Sequence, residues 1–527
     1  MCSVLAGPLG PSDRFRWRTL SGHLRATTYS ERAQRDRSIL RRSTLLSSGS
    51  GMIPKPKRVF ARDFEWRHLS AFAERTASKP QLGVVSGRRR QGKTFLIEAL
   101  AREVGGLYFG ATEATETESL RLFSQALADY TQAAVPHRFA DWDEAIRQLF
   151  AIGAERRALI VIDEFPYLSK VSPALPSIIQ REIDRAVSRE TPVSLLLCGS
   201  AMSVMGGLLS GSAPLRGRAS MELVVRPFDY RLAARYWRLD DPRLAVLVHT
   251  VVGGTPAYLR FVNDETPSEL GDFDDWVQST VLDPGTPLFR EARYLMEEET
   301  DVRDTALYHS VLAAVANGNA TRGGIAGYIG RKAADIGHHL NVLEDSCLLR
   351  REIDVFRPGR SVYRVCEPLI SFYQVVMRPR WSLLESGRAG AVWRDARARF
   401  TAQVVGPHFE DMCRSFARTE SLFGELPGEV GAGVVADTAR RSQIEVDVAV
   451  FAATEAGEPR RILSLGEVKW GTRMGSGHVD RLGRARDLLA AKGYDVRDTA
   501  LTLYGGAGFD QGLTGARTFG LEELYSG

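Results

Sequence analysis

The stretch Gly87-Arg-Arg-Arg-Gln-Gly-Lys-Thr94 constrains the fold of this chain more than any other, because its spacing is that of a phosphate-binding P-loop. The apolar run Leu82–Val85 before it predicts a buried strand, and Phe95–Leu100 after it predicts a helix. Glycine lets the backbone curl so that N–H groups point inward, and the helix N-terminus adds the positive end of its dipole. A chance loop is the alternative, but a strand, a loop and a helix in this order favour the P-loop.

The whole loop is predicted to bind a nucleotide. Lys93 would reach the β- and γ-phosphates, and the Thr94 hydroxyl would ligate Mg²⁺. The predicted cofactors are therefore ATP and Mg²⁺. The predicted nucleotide-binding residues are Gly87, Arg88, Arg89, Arg90, Gln91, Gly92, Lys93 and Thr94.

An acidic pair supplies the second part of the predicted site. The continuous apolar run Ala158–Ile162 is typical of a parallel strand covered on both faces, and Asp163 and Glu164 follow it directly. Asp163 could hold the Mg²⁺, and Glu164 could polarise a water for attack on the γ-phosphate. An acidic pair after a strand is also common as a solvated turn. The P-loop upstream favours the catalytic interpretation, so hydrolysis is predicted as well as binding.

Two further positions are catalytic candidates with equally strong alternatives. Ser200 ends the apolar run Val193–Cys198 and could hydrogen-bond the attacking water or the γ-phosphate, or it could simply form a turn. Arg218 could stabilise developing charge as an arginine finger, in the same chain or across subunits, or it could be a solvated loop arginine. The finger across subunits would require a homo-oligomer, and this remains one of the predicted alternatives.

Strands that alternate with helical patterns predict an α/β fold with a parallel sheet and helices on both faces. The predicted strands are 82–85, 107–109, 158–162, 193–198 and 223–225.

Composition narrows the class of protein. No apolar run approaches the roughly 20 residues that a membrane helix needs. Five scattered cysteines without paired spacing predict a reducing cytoplasm and no zinc site. Nine arginines and three acidic residues lie in residues 1–50, which leaves 60 basic and 61 acidic residues in the remainder. Any nucleic-acid contact must therefore come from local patches rather than from net charge.

The Arg- and Ser-rich residues 1–55 lack a periodic apolar pattern and are predicted to be a disordered extension. Their composition is like that of a transit peptide, but Met52 stands just before the first globular residues. Translation from Met52 rather than Met1 is the favoured explanation.

These motifs, together with Pro214–Arg218 and Gly253–Leu259, resemble the archaeal-type ATPases of the AAA/STAND superclass. Phe60–Glu65 is similar to the segment before that family's first helix. The resemblance covers about residues 58–527. It implies an ATPase core, a lid, a winged helix and often a C-terminal domain like a restriction endonuclease. The predicted boundaries are 56–228 for the core, 229–295 for the helical lid, 296–375 for the winged helix and 376–527 for the nuclease-like domain.

Spacing alone also supports the winged helix. Apolar stripes predict three helices between residues 307 and 343, and strands at Leu348–Ile353 and Ser361–Val365 flank Arg357-Pro-Gly-Arg360. We expect a hairpin with a basic tip. The third helix could enter a DNA major groove while the tip touches phosphate. Such domains also serve as packing or protein-contact modules, so duplex DNA is a predicted partner with a clear alternative.

A second chemical signature lies near the C-terminus. Ile444–Phe451 and Arg461–Trp470 alternate as two strands, and this alternation places Glu467 and Lys469 on one face with Asp447 opposite. An exposed Glu-x-Lys is usually a solubility feature, but apolar neighbours on both strands oppose that explanation.

The three residues resemble the PD-(D/E)xK nuclease motif, in which carboxylates bind Mg²⁺ and the lysine assists the nucleophile or stabilises the charged phosphate. Glu410 matches the helix acid of that fold. The resemblance implies catalytic roles for Asp447, Glu467 and Lys469, and metal ligation by Glu410, Asp447 and Glu467.

The predicted function is a cytoplasmic ATPase whose nucleotide state controls a winged helix and a nuclease-like domain on DNA. The alternative is a signal-transducing ATPase switch whose C-terminal domain is an inactive binding module. A motor translocase is a weaker third interpretation, because no further arginine-rich channel elements are evident.

Overall fold

The computed structural model describes residues 53–299, 305–419, 422–453 and 458–526. Most of the predicted extension, including the choice between Met1 and Met52, lies outside the described residues. Ile53 is buried, and the indole N–H of Trp66 donates to its carbonyl oxygen at 2.8 Å. The packed part of the chain therefore includes Ile53, which the sequence assigns to the extension.

The N-terminal part is a five-stranded sheet with strand order β2-β3-β4-β1-β5, in which every neighbouring pair is parallel. The strands are β1 (Gln81–Ser86), β2 (Leu107–Gly110), β3 (Leu159–Asp163), β4 (Ser194–Gly199) and β5 (Ala219–Val224). Strands β1, β3 and β4 are buried along their whole length, because continuous apolar runs suit strands covered on both faces. The predicted parallel α/β sheet is confirmed, although β5 begins earlier than expected.

Seven helices accompany this sheet among the described residues. They are α1 (Asp63–Glu74), α2 (Lys93–Val104), α3 (Glu116–Thr131), α4 (Trp142–Arg156), α5 (Phe165–Val171), α6 (Leu175–Ser188) and α7 (Met202–Gly207). The Thr115 and Asp141 side chains accept hydrogen bonds from the first turns of α3 and α4, so the sequence itself supplies the caps that start these helices.

A helical segment follows, where the sequence predicts a lid. It contains α8 (Tyr230–Trp237), α9 (Pro242–Val252), α10 (Ala257–Phe261), α11 (Phe273–Ser279) and α12 (Pro287–Glu299). The backbone of Phe228 passes close to Gly254 in this segment. An added Cβ at Gly254 would stand 1.8 Å from the carbonyl oxygen of Phe228, so only glycine fits.

Three helices and a hairpin occupy the region predicted as a winged helix. They are α13 (Thr305–Ala316), α14 (Arg322–Ile329), α15 (Gly337–Asp345), β6 (Leu349–Asp354) and β7 (Arg357–Val365).

The prediction that Arg357–Arg360 form a basic tip of this hairpin is wrong. Asp354 pairs with Arg357, so the turn is Val355-Phe356, and Arg357–Arg360 lie in β7. The reason is packing. Val355 is buried and its N–H donates to Ala432, while Phe356 contacts the Phe451 ring at 5.9 Å. Burial of Val355, together with the packing of the half-buried Phe356, outweighs the turn preference of Pro358-Gly359.

The remaining helices begin with α16 (Pro368–Phe372), which continues into a π-helical turn at Tyr373–Met377. A second π-helical turn at Thr401–Val405 joins two longer helices. The helices of this part are α17 (Trp381–Glu385), α18 (Ala389–Phe400) and α19 (Gly406–Thr419).

The C-terminal part forms a separate five-stranded sheet with order β12-β11-β10-β9-β8. Its strands are β8 (Pro427–Asp437), β9 (Ser442–Ala452), β10 (Ile462–Lys469), β11 (Ala500–Gly505) and β12 (Arg517–Phe519), with α20 (Ser476–Ala490) and α21 (Leu521–Tyr525). Strands β8, β9 and β10 are antiparallel, whereas β10, β11 and β12 are parallel. The hairpin predicted from Asp447 and Glu467 is confirmed as β9 and β10.

One hydrophobic cluster runs from Tyr230 to Leu524 and joins the helical segment, the hairpin region and the C-terminal sheet. The Tyr230 hydroxyl and Arg231 Nε both donate to the carbonyl oxygen of Leu524, at 3.0 and 2.7 Å. The predicted boundaries after residues 295 and 375 therefore fall inside a shared core. Among the described residues, no helix is both long enough and apolar enough to span a bilayer.

Candidate functional site

The P-loop adopts the conformation that its glycines permit. Gly87 has a φ of 149°, and an added Cβ would stand 2.4 Å from the carbonyl oxygen of Val225. Gly92 has a φ of 83° and begins α2. Lys93 is buried, and its Nζ donates to the carbonyl oxygen of Arg88 at 2.9 Å. The lysine therefore sits within the loop, at the N-terminus of α2, as the sequence predicts.

A cavity of about 630 Å³ opens onto this loop. It brings together most of the predicted nucleotide-binding residues, Glu164, and a wall of aromatic and arginine side chains that were not among the predicted site residues. The volume lies within the usual range for small-molecule sites. The lining includes Arg62, Arg89, Arg90, Gln91, Gly92, Lys93, Thr94, Glu164 and Phe228.

The acidic pair is held by specific partners. Asp163 is buried, and its carboxylate accepts hydrogen bonds from the Tyr108 hydroxyl at 3.0 Å and from the Glu164 amide at 2.9 Å. Burial and the neighbouring Asp163 raise the pKa of Tyr108, so its hydroxyl remains a donor. Glu164 Oε2 accepts from Ser200 Oγ at 2.9 Å. The predicted residue Ser200 thus contacts Glu164 directly, because β3 and β4 are neighbours and end side by side.

The arginines of the loop bind protein carboxylates. Arg88 forms an ion pair of 2.6 Å with Glu367, and Arg90 Nε lies 2.7 Å from Glu291. Both carboxylates are buried and belong to the chain beyond the first sheet. Arg89 donates to the Tyr167 hydroxyl at 3.0 Å. The loop is therefore tied through its side chains to three other elements.

Arg218 contacts neither the P-loop nor the acidic pair in the hydrogen bonds found for it. Its guanidinium donates to both carboxylate oxygens of Asp184, at 2.7 and 2.8 Å, and it does not line the cavity. This geometry gives no support to a finger that acts in the same chain. The role across subunits stays a prediction.

Arg62 is a pocket residue that the predicted site did not include. Its guanidinium donates to the carbonyl oxygens of Gln91 at 3.0 Å and Arg226 at 2.7 Å, and lies 4.4 Å from the Phe228 ring centre. Arg62 therefore joins the P-loop to the segment after β5. The motif Phe60–Glu65 is the signal that could have placed it here.

The C-terminal signature also assembles. Lys469 Nζ lies 3.2 Å from Glu467 Oε1 and 3.9 Å from Asp447 Oδ2, and the Val468 amide donates to Asp447 Oδ2 at 2.8 Å. Burial and the charge of Glu410 raise the pKa of Asp447 to about 7. The structure therefore brings the three predicted residues together on β9 and β10, with Glu410 on α19 close enough to influence Asp447.

Arginine side chains already pair with two of these carboxylates. Arg481, which the sequence did not indicate, donates to Glu467 Oε2 at 3.1 Å. Glu410 Oε2 lies 3.6 Å from Arg364 and 3.8 Å from Arg414. Within the described ranges, no group of three or more His, Cys, Asp or Glu side chains is placed to hold a metal ion. In this conformation the C-terminal donor set does not fit Mg²⁺.

These features define a P-loop nucleotide-binding domain. They are a parallel sheet, a glycine-bearing loop at a helix N-terminus, a buried lysine, and an acidic pair at the end of a nearby strand. Residues 59–260 match the model of a family described as an ATPase domain predominantly from Archaea. The chain is similar to this archaeal-type ATPase family over that segment, which is less than half of its length. The match ends within α10 and leaves the later elements outside it.

Other known proteins are similar over longer spans. A protein of Methanocaldococcus jannaschii, named uncharacterized protein MJECL04, is 26% identical over 348 residues, covering 65% of this chain and 74% of its own. The Walker-type ATPase paby2304 of Pyrococcus abyssi superposes with a TM-score of 0.47 and 19% identity, over 62% of this chain and 99% of its own. ORC2 of Aeropyrum pernix, solved as ADPNP–ADP complexes, superposes with a TM-score of 0.40 and 11% identity. This match covers 66% of this chain and 98% of ORC2.

Proposed function

We propose that this protein binds and hydrolyses ATP, and that its nucleotide state controls a winged helix and a nuclease-like domain that act on DNA. The observation that carries the proposal is the cavity at the P-loop, where Lys93 and Thr94 share the lining with Glu164. The family match over residues 59–260 supports the ATPase part.

The residues present suit ATP and Mg²⁺. The loop amides and Lys93 would bind the phosphates, and Thr94 and Asp163 would hold the metal. Mg²⁺ would neutralise phosphate charge. Glu164 would take a proton from the attacking water, and Ser200 would orient the Glu164 carboxylate through the 2.9 Å hydrogen bond.

Two substitutions test the ATPase assignment. Lys93→Ala should abolish binding of ATP, because the loop loses its only side-chain ammonium. Glu164→Gln should retain binding but lower kcat by about 100-fold or more, the range expected for a lost general base. Lys492→Ala, which changes an exposed lysine in the turn after α20, is the matched control and should behave like wild type. Hydrolysis by Lys93→Ala at the wild-type rate would refute the proposal.

DNA contact is proposed for the third helix of the 305–365 region. The face of α15 that includes His338 and Asn341 is exposed, and Arg331 and Lys332 stand exposed just before it. The hairpin turn packs on the C-terminal sheet, so the helix is the better candidate for the groove.

The ATPase rate with and without duplex DNA tests this partner. Stimulation that is lost in the Arg331→Ala, Lys332→Ala double variant would support DNA. A rate that DNA leaves unchanged would favour a protein or small-molecule signal.

A nuclease-like C-terminal domain is supported by element order and by the cluster of Asp447, Glu467 and Lys469. The order is α19, three antiparallel strands, α20 and then a parallel strand. The second candidate, a switch with an inactive module, is favoured by Arg481, which lies outside the motif and donates to Glu467 Oε2 at 3.1 Å.

Mg²⁺-dependent cleavage of duplex DNA separates these two candidates. Cleavage by the wild type that disappears in Asp447→Ala and Glu467→Ala would select the nuclease. Absence of cleavage by the wild type, or cleavage that both variants retain, would select the switch.

A further inference from the structure

The ion pair between Arg88 and Glu367 joins parts of the chain that are far apart in sequence. Arg88 is the second residue of the P-loop, whereas Glu367 follows β7 and precedes α16. Their side chains are 6% and 2% exposed, and Arg88 Nη2 lies 2.6 Å from Glu367 Oε2. A buried charge pair of this kind costs desolvation energy, so its geometry has to be good for it to persist.

Arg88 also contacts the central residue of the nucleotide site. Its carbonyl oxygen accepts the 2.9 Å hydrogen bond from Lys93 Nζ. The same residue is thus held at its side chain by Glu367 and holds Lys93 through its backbone.

Two neighbouring contacts strengthen this arrangement. Gln91 Nε2 donates to Thr255 Oγ1 at 3.0 Å, and Arg90 pairs with Glu291. The loop is consequently held from outside the first sheet at three positions. Arg88, the partner of Glu367, also bonds Lys93.

We propose that Glu367 is a positioning residue of the phosphate site: through Arg88 it fixes the loop in the conformation that receives a nucleotide. The inference rests on the proposed nucleotide binding and adds a residue from outside the matched ATPase segment. Loss of the carboxylate removes the 2.6 Å charged contact that holds the buried Arg88 side chain, so the loop loses one of its restraints. A loop that is no longer preorganised binds phosphate more weakly.

Binding of ATP labelled with a fluorescent methylanthraniloyl group is the first test. Glu367→Gln should raise Kd by about tenfold or more, a range that corresponds to loss of one buried charged contact. The kcat of the variant should differ from that of the wild type by a smaller factor than Kd does, because Glu367 touches no reacting atom. Glu367→Asp, which keeps the charge, should recover part of the affinity, and Arg88→Lys should bind weakly.

Asp437→Asn is the matched control. Asp437 is buried and accepts hydrogen bonds from Arg484 at 3.0 and 3.1 Å, but this pair lies in the C-terminal sheet region away from the cavity. The control should lower thermal stability while leaving Kd unchanged. A Glu367→Gln protein that loses stability but binds nucleotide like wild type would overturn the positioning role.

Hydrogen–deuterium exchange without nucleotide separates this inference from the proposed function. Amides of residues 87–94 should exchange faster in Glu367→Gln than in wild type or in Asp437→Asn. Faster exchange combined with no nucleotide binding by the wild type would show that Glu367 orders the loop and would refute the ATPase. Unchanged exchange at the loop in a folded Glu367→Gln protein would refute the positioning role whatever the wild type binds.

Discussion

Gly87 shows most directly how a single residue permits the phosphate loop. Its φ of 149° and the 2.4 Å approach of an added Cβ to Val225 leave room only for hydrogen. Gly87→Ala should therefore lower the free energy of unfolding by about 2–4 kcal/mol, since backbone rather than a flexible side chain must move. Urea unfolding followed by circular dichroism measures this loss.

Gly105→Ala is the control for that experiment. Gly105 has a φ of 64°, but an added Cβ meets nothing within 4 Å. The expected loss is only about 1 kcal/mol, the cost of the left-handed conformation alone. Equal losses in the two variants would show that the contact with Val225 is unimportant.

Asp447 makes a pH-dependent prediction. Its pKa is raised to about 7 by burial and Glu410, so the folded state binds more protons than the unfolded state between about pH 4 and pH 7. The contribution of Asp447 to stability is therefore present at low pH and falls as pH rises toward 7. Asp447→Asn should raise Tm relative to wild type at pH 8 and change it little at pH 4.5.

Thermal unfolding of the Asp447→Asn and wild-type proteins at both pH values checks this sign. A Tm difference that is the same at pH 4.5 and pH 8 would mean that Asp447 titrates normally. Glu410, whose charge contributes to the raised pKa of Asp447, is present in both proteins.

At the level of elements, the hairpin turn is the clearest test. The Asp354 carboxylate accepts hydrogen bonds from the Phe356 amide at 3.0 Å and the Val434 amide at 3.2 Å. Asp354→Ala should cost about 2–3 kcal/mol, because two backbone donors near the buried turn lose their acceptor. Chemical unfolding should show this loss, whereas Arg351→Ala on the exposed part of β6 should change stability by less than about 0.5 kcal/mol. Comparable losses in both would argue against docking of the turn on β8.

The same hairpin shows where prediction from local sequence ends. Pro358-Gly359 is a strong turn signal, yet the turn forms at Val355-Phe356. Turn preferences differ by small amounts, whereas each buried apolar side chain contributes about 1.5–3 kcal/mol. Which pair becomes the turn thus depends on β8 and β9, which come much later in the chain.

For the whole molecule, the contact between α9 and α19 predicts acid sensitivity. His249 Nδ1 and His408 Nε2 lie 2.8 Å apart, with Asp411 as the nearby charged group. Burial lowers the pKa of His408 to about 4, and burial together with His408 lowers the pKa of His249 well below its usual value. Between about pH 6.5 and pH 4 the unfolded state binds more protons, so stability should fall as pH decreases through this window.

The unfolding free energies of wild type and His408→Gln at pH 5 and pH 7 measure this effect. The variant should lose less stability than wild type on acidification, because one of the two titrating groups is gone. An equal or larger loss in the variant would assign the acid sensitivity to other residues.

Local sequence determined the parts of this protein that depend on near neighbours. The P-loop, its flanking strand and helix, the acidic strand end and the pair of strands carrying Asp447 and Glu467 all follow from patterns within short spans. Hydrophobic periodicity and glycine geometry act over a few residues, so one segment contains the necessary information.

Tertiary structure alone decided the contacts that cross the chain. Arg88 meets Glu367, Ser200 meets Glu164, Arg481 meets Glu467, and Arg218 meets Asp184 instead of the nucleotide pocket. An arginine has the same appearance in sequence whether it faces a phosphate or a carboxylate. Its partner is set by which surfaces pack together, and packing is a property of the whole chain.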